Sequence, residues 1–112
     1  MTASELDRKA RDVVRQQSGG SCYVCGKEGH DVAHLFVRNK LRTRWDLRNL
    51  RLLCRSCHDD DHRGSGIYAS TYINREGQEA YDEVRFVSNQ MVRNVKMFMA
   101  EQEEKLDHEF DR

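Results

Sequence analysis

Twelve residues near the middle of the chain, LCRSCHDDDHRG from Leu53 to Gly64, carry more metal-binding side chains than one ion can use. The segment holds a C-x-x-C pair, Cys54 and Cys57, and an earlier C-x-x-C pair is formed by Cys22 and Cys25. Four thiolates complete the tetrahedral shell that a structural zinc ion prefers, and such a closed shell has no vacancy for a substrate. The spacing therefore predicts one structural Zn²⁺ site, with disulfides or free thiols as the alternatives.

The two histidines after the second cysteine pair predict a separate site. In a helix that begins near Ser56, His58 points away from Cys57, and His62 lies one turn further along on the face of His58. Two imidazoles on one helical face form half of a metal site with open coordination positions. The same spacing also suits two solvent-facing histidines among the three neighbouring aspartates, so spacing alone leaves both interpretations open.

The order of a histidine, an asparagine and a further histidine resembles the HNH, or ββα-metal, endonuclease family. DVAHLFVR carries His34, DLRNLRLLC carries Asn49, and CRSCHDDDHRG carries His58. The H-x-x-x-H-R-G ending is similar to the metal-binding helix of the colicin-type DNases. The succession of D-x-x-H, R-x-D-x-R-N and C-x-x-C is most similar to the NinG (Rap) recombination endonucleases of lambdoid phages. The resemblance covers residues 22–64.

This resemblance implies a metal-dependent endonuclease that hydrolyses DNA and leaves a 5′-phosphate and a 3′-hydroxyl. His34 is then the general base, because an imidazole with a pKa of about 6.5 can accept a proton at neutral pH. Asn49 is expected to fix the loop opposite His34, and His58 and His62 to hold a divalent ion at the scissile phosphate. Mg²⁺ or Mn²⁺ is the expected ion, and two imidazole ligands also suit Zn²⁺ or Ni²⁺.

One position departs from the family pattern. In many members the residue before the first histidine is an aspartate or histidine that binds the metal, whereas here it is Ala33. Asp31 is the nearest candidate for a third ligand, although strict strand alternation places it on the opposite face from His34. Asp31, a water molecule or no group at all could fill that position. The alternative function is therefore a non-catalytic, zinc-stapled module that binds nucleic acid.

A basic loop separates the first histidine from the asparagine. The chain has a formal net charge of zero, but residues 38–55 contain seven basic residues and one acid. DNA is the expected partner, and the phage resemblance favours branched recombination intermediates. Trp45 could stack on an unpaired base, but a tryptophan in so small a domain more often belongs to the core. Alternate basic positions suit phosphate contacts without sequence readout: Arg38, Lys40, Arg42 and Arg44.

A small α+β scaffold must position these residues. With 112 residues, 34% of them charged, the chain can bury only a thin core, and a metal staple is a common compensation. Residues 1–66 are predicted to form an N-terminal helix, capped by Ser4, and a zinc-stapled ββα-metal module with strands over 31–37 and 50–53. A helix near Ser56 should end at Gly64. The apolar stripe of the first helix is expected at Leu6, Ala10, Val13 and Val14.

Residues 67–112 are predicted to form a helical C-terminal extension. One long helix is expected from Gln78 towards Leu106, with Asn74 as its candidate cap. The helix could pack on the N-terminal helix or form a homodimer with a second copy, because so small a module cannot bury the whole apolar face. Steps of three and four place seven apolar residues on that face: Val84, Val87, Met91, Val95, Phe98, Leu106 and Phe110.

No apolar run approaches the ~20 residues needed to span a bilayer, and the first residues lack the apolar core of a signal peptide. We therefore expect no membrane partner and a cytoplasmic location, that of a bacterial host if the chain is phage-encoded. In a reducing compartment, cysteines more often bind metal than form disulfides.

Overall fold

The computed structural model describes residues 1–110, so Asp111 and Arg112, the last two positions of the predicted extension, lie outside the described residues. The fold is a small α+β arrangement with a two-stranded sheet, as the sequence predicts. Two 3₁₀ turns, Leu41–Thr43 and Leu47–Asn49, lie between the strands. Within residues 1–110 the elements are α1 (Ala3–Ser18), β1 (Asp31–His34), β2 (Leu50–Leu53), α2 (Arg55–Asp60), α3 (Ile67–Glu76), α4 (Gln78–Ser88) and α5 (Val95–Phe110).

The N-cap of the first helix lies two residues before the expected one. The side chain of Thr2 accepts a hydrogen bond from the backbone N–H of Glu5, so Thr2 is the N-cap and the prediction of Ser4 is wrong. Gly19 ends α1 in the left-handed conformation at φ 65°, which glycine adopts without steric cost. The predicted apolar stripe is buried: Leu6, Ala10, Val13 and Val14.

The two strands form an antiparallel hairpin that separates two apolar clusters. His34 lies opposite Leu50 and Asp31 opposite Leu53, and β1 ends three residues before the predicted end at Val37. Side chains alternate across the sheet, so Leu50 and Leu52 join the cluster formed with α1 and α5. Leu53 and Ala33 join the cluster formed with α3 and α4.

The prediction of one uninterrupted helix over 78–106 is wrong, because α4 and α5 are separate helices. Two asparagines cause the break through local hydrogen bonds that compete with the helix. Asn89 caps the end of α4, where its Nδ2 donates to the carbonyl of Arg85. Asn94 caps the start of α5, where its Oδ1 accepts from the backbone N–H of Met97 at 3.0 Å. The predicted cap Asn74 instead lies inside α3, which ends before Gly77.

The break allows the extension to pack on both sides of the sheet. Val84 packs in the cluster of α3 and α4, whereas Phe98 and Leu106 pack with α1 and Trp45. The core interpretation of Trp45 is confirmed, because only 2% of it is exposed. Since these residues of the predicted stripe are buried within one chain, they need no second copy, and pairing through the extension stays a prediction. In residues 1–110 no helix has the length and apolar character to cross a membrane.

Candidate active site

Four cysteine sulfurs converge where the hairpin meets α2. Cys22 and Cys25 flank the turn that follows α1, Cys54 is the N-cap of α2, and Cys57 lies in its first turn. All four Sγ atoms lie within 4.8 Å of one another, and the Sγ atoms of Cys25 and Cys54 are 3.7 Å apart. Sulfurs bound to a tetrahedral zinc ion at ~2.3 Å are about 3.8 Å apart. The cluster therefore fits a metal ion such as zinc.

The charges in this cluster favour a bound cation. Burial raises the pKa of Cys22, but hydrogen bonds to the sulfur, led by those from the backbone of Cys25 and Cys54, outweigh burial and lower it to about 6. Burial and its contacts with the neighbouring thiols raise the pKa of Cys57 well above its ordinary value. Ionisation of one thiol therefore makes ionisation of a second one unfavourable. A bound metal ion would offset this repulsion by stabilising all four sulfurs as thiolates.

A cleft of about 650 Å³ lies beside α1, β1 and α2. His34 enters it from β1, and His58 and His62 enter it from α2 and the wider helical turn that continues α2 over Asp61–Ser65. This helical segment ends at Ser65 with Gly66 as its C-cap, and Gly64 inside it has a non-helical φ of 94°, so the predicted end at Gly64 is one residue early. The histidines of the motif therefore share one cleft, away from the four sulfurs.

His58 and His62 present a pair of nitrogen atoms to this cleft. Their Nε2 atoms are 3.0 Å apart, and Nδ1 of His58 lies 3.1 Å from Oδ2 of Asp31. The carboxylate accepts the Nδ1 hydrogen, so Nε2 of His58 carries a lone pair, which accepts from Nε2 of His62 here and could bind a metal ion instead. Two nitrogens at ~2.0–2.1 Å from one ion are about 3.0–3.4 Å apart, so the pair fits two neighbouring ligand positions.

Asp31 occupies an outer position in this arrangement. It lies on the nitrogen of His58 that faces away from His62, and it orients the ring rather than extending the nitrogen pair. Its expected role as a direct third ligand stays a prediction. Ala33, which directly precedes His34, is buried in the apolar cluster of α3 and α4.

His34 is half-buried and anchored by a single main-chain group. Its Nε2 lies 3.1 Å from the carbonyl oxygen of Arg44. Because a carbonyl can only accept, Nε2 carries the hydrogen and Nδ1 is the unprotonated nitrogen of the neutral ring. Burial lowers the pKa of His34, and the opposing effects of the Arg44 carbonyl and the Asp7 charge only partly offset it. The ring is therefore neutral at pH 7.

Asn49 is fully buried and lies outside the cleft lining. Its Oδ1 accepts from the backbone N–H of Phe36 at 2.8 Å, and its Nδ2 donates to the carbonyls of Phe36 and Thr43 at 3.1 Å each. Thr43 immediately precedes Arg44, whose carbonyl holds His34. The contacts of Asn49 are thus those of a residue that fixes the loop, and its part in catalysis stays a prediction.

The four basic side chains of the loop differ in their exposure. Arg38 and Lys40 are exposed, and Arg38 lines the cleft. Arg42 donates to the carbonyl of Met91 and lies over the ring of Phe98. Arg44 is only 17% exposed at its side chain, which is held by a carboxylate. Arg38 also donates to Asp7, and Lys40 donates to Asn89, so all four predicted phosphate contacts form intramolecular hydrogen bonds.

Two charged residues of α1 line the same cleft, and sequence reasoning missed both of them. Asp7 binds Arg38, Arg44 and Trp45, and Arg11 is exposed at the cleft wall. Burial raises the pKa of Asp7, but hydrogen bonds from Arg44 and Trp45 and the arginine charges lower it below its ordinary value. Nothing in the sequence distinguishes these two from the other charged residues of an amphipathic helix.

Comparison with known proteins identifies the central segment. Residues 22–64 match the family model described as HNH endonuclease, which indicates a nuclease-type function. The matched segment contains the four cysteines, His34, Asn49 and both cleft histidines of α2, and it leaves α1 and the three C-terminal helices outside. No curated protein and no solved structure matches the chain significantly. The narrower resemblance to the NinG (Rap) endonucleases stays a prediction.

Proposed function

We propose that this chain is a metal-dependent endonuclease that hydrolyses DNA phosphodiester bonds in the cleft beside α1. One observation carries the proposal above the others. His34, neutral and with Nε2 anchored to the Arg44 carbonyl, lines the same cleft as the paired nitrogens of His58 and His62. A proton acceptor beside a pair of imidazole nitrogens that could hold a metal ion supports metal-dependent hydrolysis of a phosphodiester.

His34 is the base in this mechanism. The hydrogen bond from Nε2 to Arg44 fixes the tautomer, so Nδ1 takes the proton from the attacking water. The lowered pKa keeps the ring ready to accept a proton at pH 7. Asn49 contributes indirectly, because it holds the loop segment that ends at Thr43.

His58 and His62 would hold the divalent ion, and Asp31 would strengthen the binding by accepting the Nδ1 hydrogen of His58. When bound, that ion supplies charge neutralisation at the scissile phosphate and stabilises the leaving 3′-oxygen. We expect Mg²⁺ or Mn²⁺, although two imidazole ligands also suit Zn²⁺ or Ni²⁺. The four cysteines would hold a structural zinc ion and take no part in the chemistry, because four sulfurs complete its coordination.

The charge of the cleft wall suits a polyanionic substrate. Arg11 of α1 and Arg38 of the basic loop are both exposed in the cleft lining. Arg11 has no ion-pair partner in residues 1–110. Both can bind backbone phosphates, which contribute affinity without base readout. We extend the proposal to branched recombination intermediates of phage DNA on the sequence resemblance alone.

Incubation of the zinc-loaded protein with supercoiled plasmid and with a synthetic four-way junction tests the proposal. We expect nicking that needs added Mg²⁺ or Mn²⁺ and that stops in excess chelator. His34→Ala should abolish it, whereas His108→Ala, an exposed histidine of α5, should cut like the parent. A folded parent that cuts neither substrate with Mg²⁺, Mn²⁺, Zn²⁺ or Ni²⁺ would refute the enzymatic assignment.

The second candidate function is a zinc-stapled module that binds nucleic acid without cutting it. It is favoured by the buried alanine at position 33 and by the outer position of Asp31, which together leave the histidine pair without a third protein ligand in the described chain. This function predicts DNA binding that weakens steeply with salt and no cleavage with any divalent ion.

A further inference from the structure

Asp7 of α1 gathers three donors from the end of the basic loop. Its Oδ1 accepts from the indole Nε1 of Trp45 at 2.8 Å and from Nε of Arg44 at 3.0 Å. Its Oδ2 accepts from Nη2 of Arg44 at 2.7 Å and from Nη2 of Arg38 at 2.9 Å. The carboxylate and the guanidinium of Arg44 therefore form a bidentate pair, the strongest and most directional form of this interaction. Its side chains are only 21% and 17% exposed.

This carboxylate holds the residue whose carbonyl anchors His34. Arg44 and Trp45 are consecutive, and both side chains end on Asp7. The peptide carbonyl between them is the one that accepts from Nε2 of His34 at 3.1 Å. The side-chain contacts of Arg44 and Trp45 with Asp7 therefore restrain this carbonyl relative to α1 from both sides of the peptide.

The anchor is distinct from the one that the HNH motif supplies. Asn49 holds Phe36 and Thr43 from within the matched segment. Asp7 holds the next two residues, Arg44 and Trp45, from a helix that lies outside the matched segment. The loop around the Arg44 carbonyl is therefore held by Asn49 on one side and by Asp7 of α1 on the other.

We propose that Asp7 is a positioning residue for the base: through Arg44 it fixes the carbonyl that holds His34 in the Nε2–H form, and it makes α1 part of the catalytic unit. The inference rests on the proposed nuclease function. The negative charge of Asp7 also favours protonation of His34, so that its loss makes the ring a weaker base. The charged and titratable groups that share the cleft with His34 are Asp7 and Arg11 of α1, Arg38 and Arg44 of the loop, and His58, Asp61 and His62.

Asp7→Asn tests the proposal, because it keeps the shape of the side chain and removes its charge. We expect kcat to fall on the order of 10²-fold, as for a misplaced catalytic group; because Asp7→Asn also removes the ion-pair partner of Arg38, the readout is kcat and not KM. The matched control is Asp107→Asn, which breaks a pair between α1 and α5, Lys9 Nζ to Asp107 Oδ1 at 2.6 Å, away from the cleft. It should leave kcat unchanged.

Nitrogen NMR of the histidine rings supplies a second readout that needs no cleavage. In the parent, His34 should titrate from the Nε2–H form, and in Asp7→Asn its pKa should fall and the Nδ1–H form should appear. If Asp7→Asn does not fold, Arg44→Lys replaces it, because lysine keeps the charge and the backbone but cannot form the bidentate pair. The same changes in kcat and tautomer are then expected.

The outcomes separate this inference from the proposed function. If the parent cuts DNA and Asp7→Asn cuts equally well with an unchanged His34 tautomer, the positioning role is wrong and the nuclease assignment stands. If the parent does not cut, the nuclease assignment fails and the NMR comparison alone decides. In that case an altered His34 tautomer in Asp7→Asn still supports the anchoring, and an unaltered one refutes it.

Discussion

The side chain of Asn49 forms two hydrogen bonds to one residue, accepting from the backbone N–H of Phe36 at 2.8 Å and donating to its carbonyl at 3.1 Å. A third bond reaches the carbonyl of Thr43. A buried amide that closes both ends of a loop in this way satisfies three main-chain groups that would otherwise lie in the interior without partners.

Asn49→Ala should therefore lower the free energy of unfolding by about 3 kcal/mol, because it leaves the Phe36 amide and two carbonyls unpaired. Urea denaturation of the zinc-loaded protein measures the change. Asn39→Ala, at an exposed position of the same loop, is the control and should be neutral. Equal stability of the two variants would show that the loop does not depend on this amide.

His34→Ala should reduce cleavage by about 10²- to 10⁴-fold, the usual contribution of a general base. The fold should persist, because Asn49 and Asp7 still hold the loop on either side of the Arg44 carbonyl. Circular dichroism and a cleavage assay on the same preparation measure both quantities. Activity equal to that of the parent would assign the base to another group.

The rate of cleavage should depend on pH through His34. Burial lowers the pKa of this ring below its ordinary 6.5, and only the neutral ring accepts a proton. Activity should therefore rise with pH along an acid limb centred below 6.5 and stay level above it. A midpoint above 6.5 in the pH profile of kcat/KM would contradict the assignment.

The same shift in pKa links His34 to stability. Between its folded pKa and 6.5 the unfolded chain binds more protons than the folded chain. The contribution of the neutral ring to stability is thus complete above pH 6.5 and is lost as the pH falls through the folded pKa. The difference in unfolding free energy between the parent and His34→Gln isolates this effect. It should be measured over ~pH 5–8, the range in which histidines titrate.

Mutation should distinguish the two proposed metal sites. Cys25→Ser should lose the thiolate-bound ion and much of the fold, because a structural zinc contributes directly to folding. His62→Ala should keep that ion and lose only binding of the second one. Elemental analysis, together with the visible spectrum of the cobalt-substituted protein, distinguishes sulfur ligands from nitrogen ligands. A single ion that both variants release would refute the two-site arrangement.

The two C-x-x-C spacings were enough to predict the cysteine cluster, and the glycines after His62 predicted the end of the helical segment to within one residue. The α+β class followed from the same segment. The break between α4 and α5 was not predicted, because apolar periodicity continues across it and the capping by Asn89 and Asn94 depends on side-chain hydrogen bonds.

The contacts that complete the cleft could not be predicted in the same way. Asp7 and Arg44 are 37 positions apart, and no periodicity relates a helix to a loop that it meets only after folding. The contact between Asp31 and His58 likewise arises because β1 and α2 pack together, and strand alternation alone indicated only that Asp31 and His34 lie on opposite faces.

The packing of the extension on both faces of the hairpin limits how this chain can be dissected. Removing α4 would uncover Leu53 and the tyrosines Tyr68 and Tyr72, and removing α5 would uncover Trp45 and α1. Residues 22–64 alone would therefore expose both apolar faces of the hairpin to water. We expect the excised segment to aggregate even when zinc is bound, so the motif should not fold independently when it is transferred to another protein.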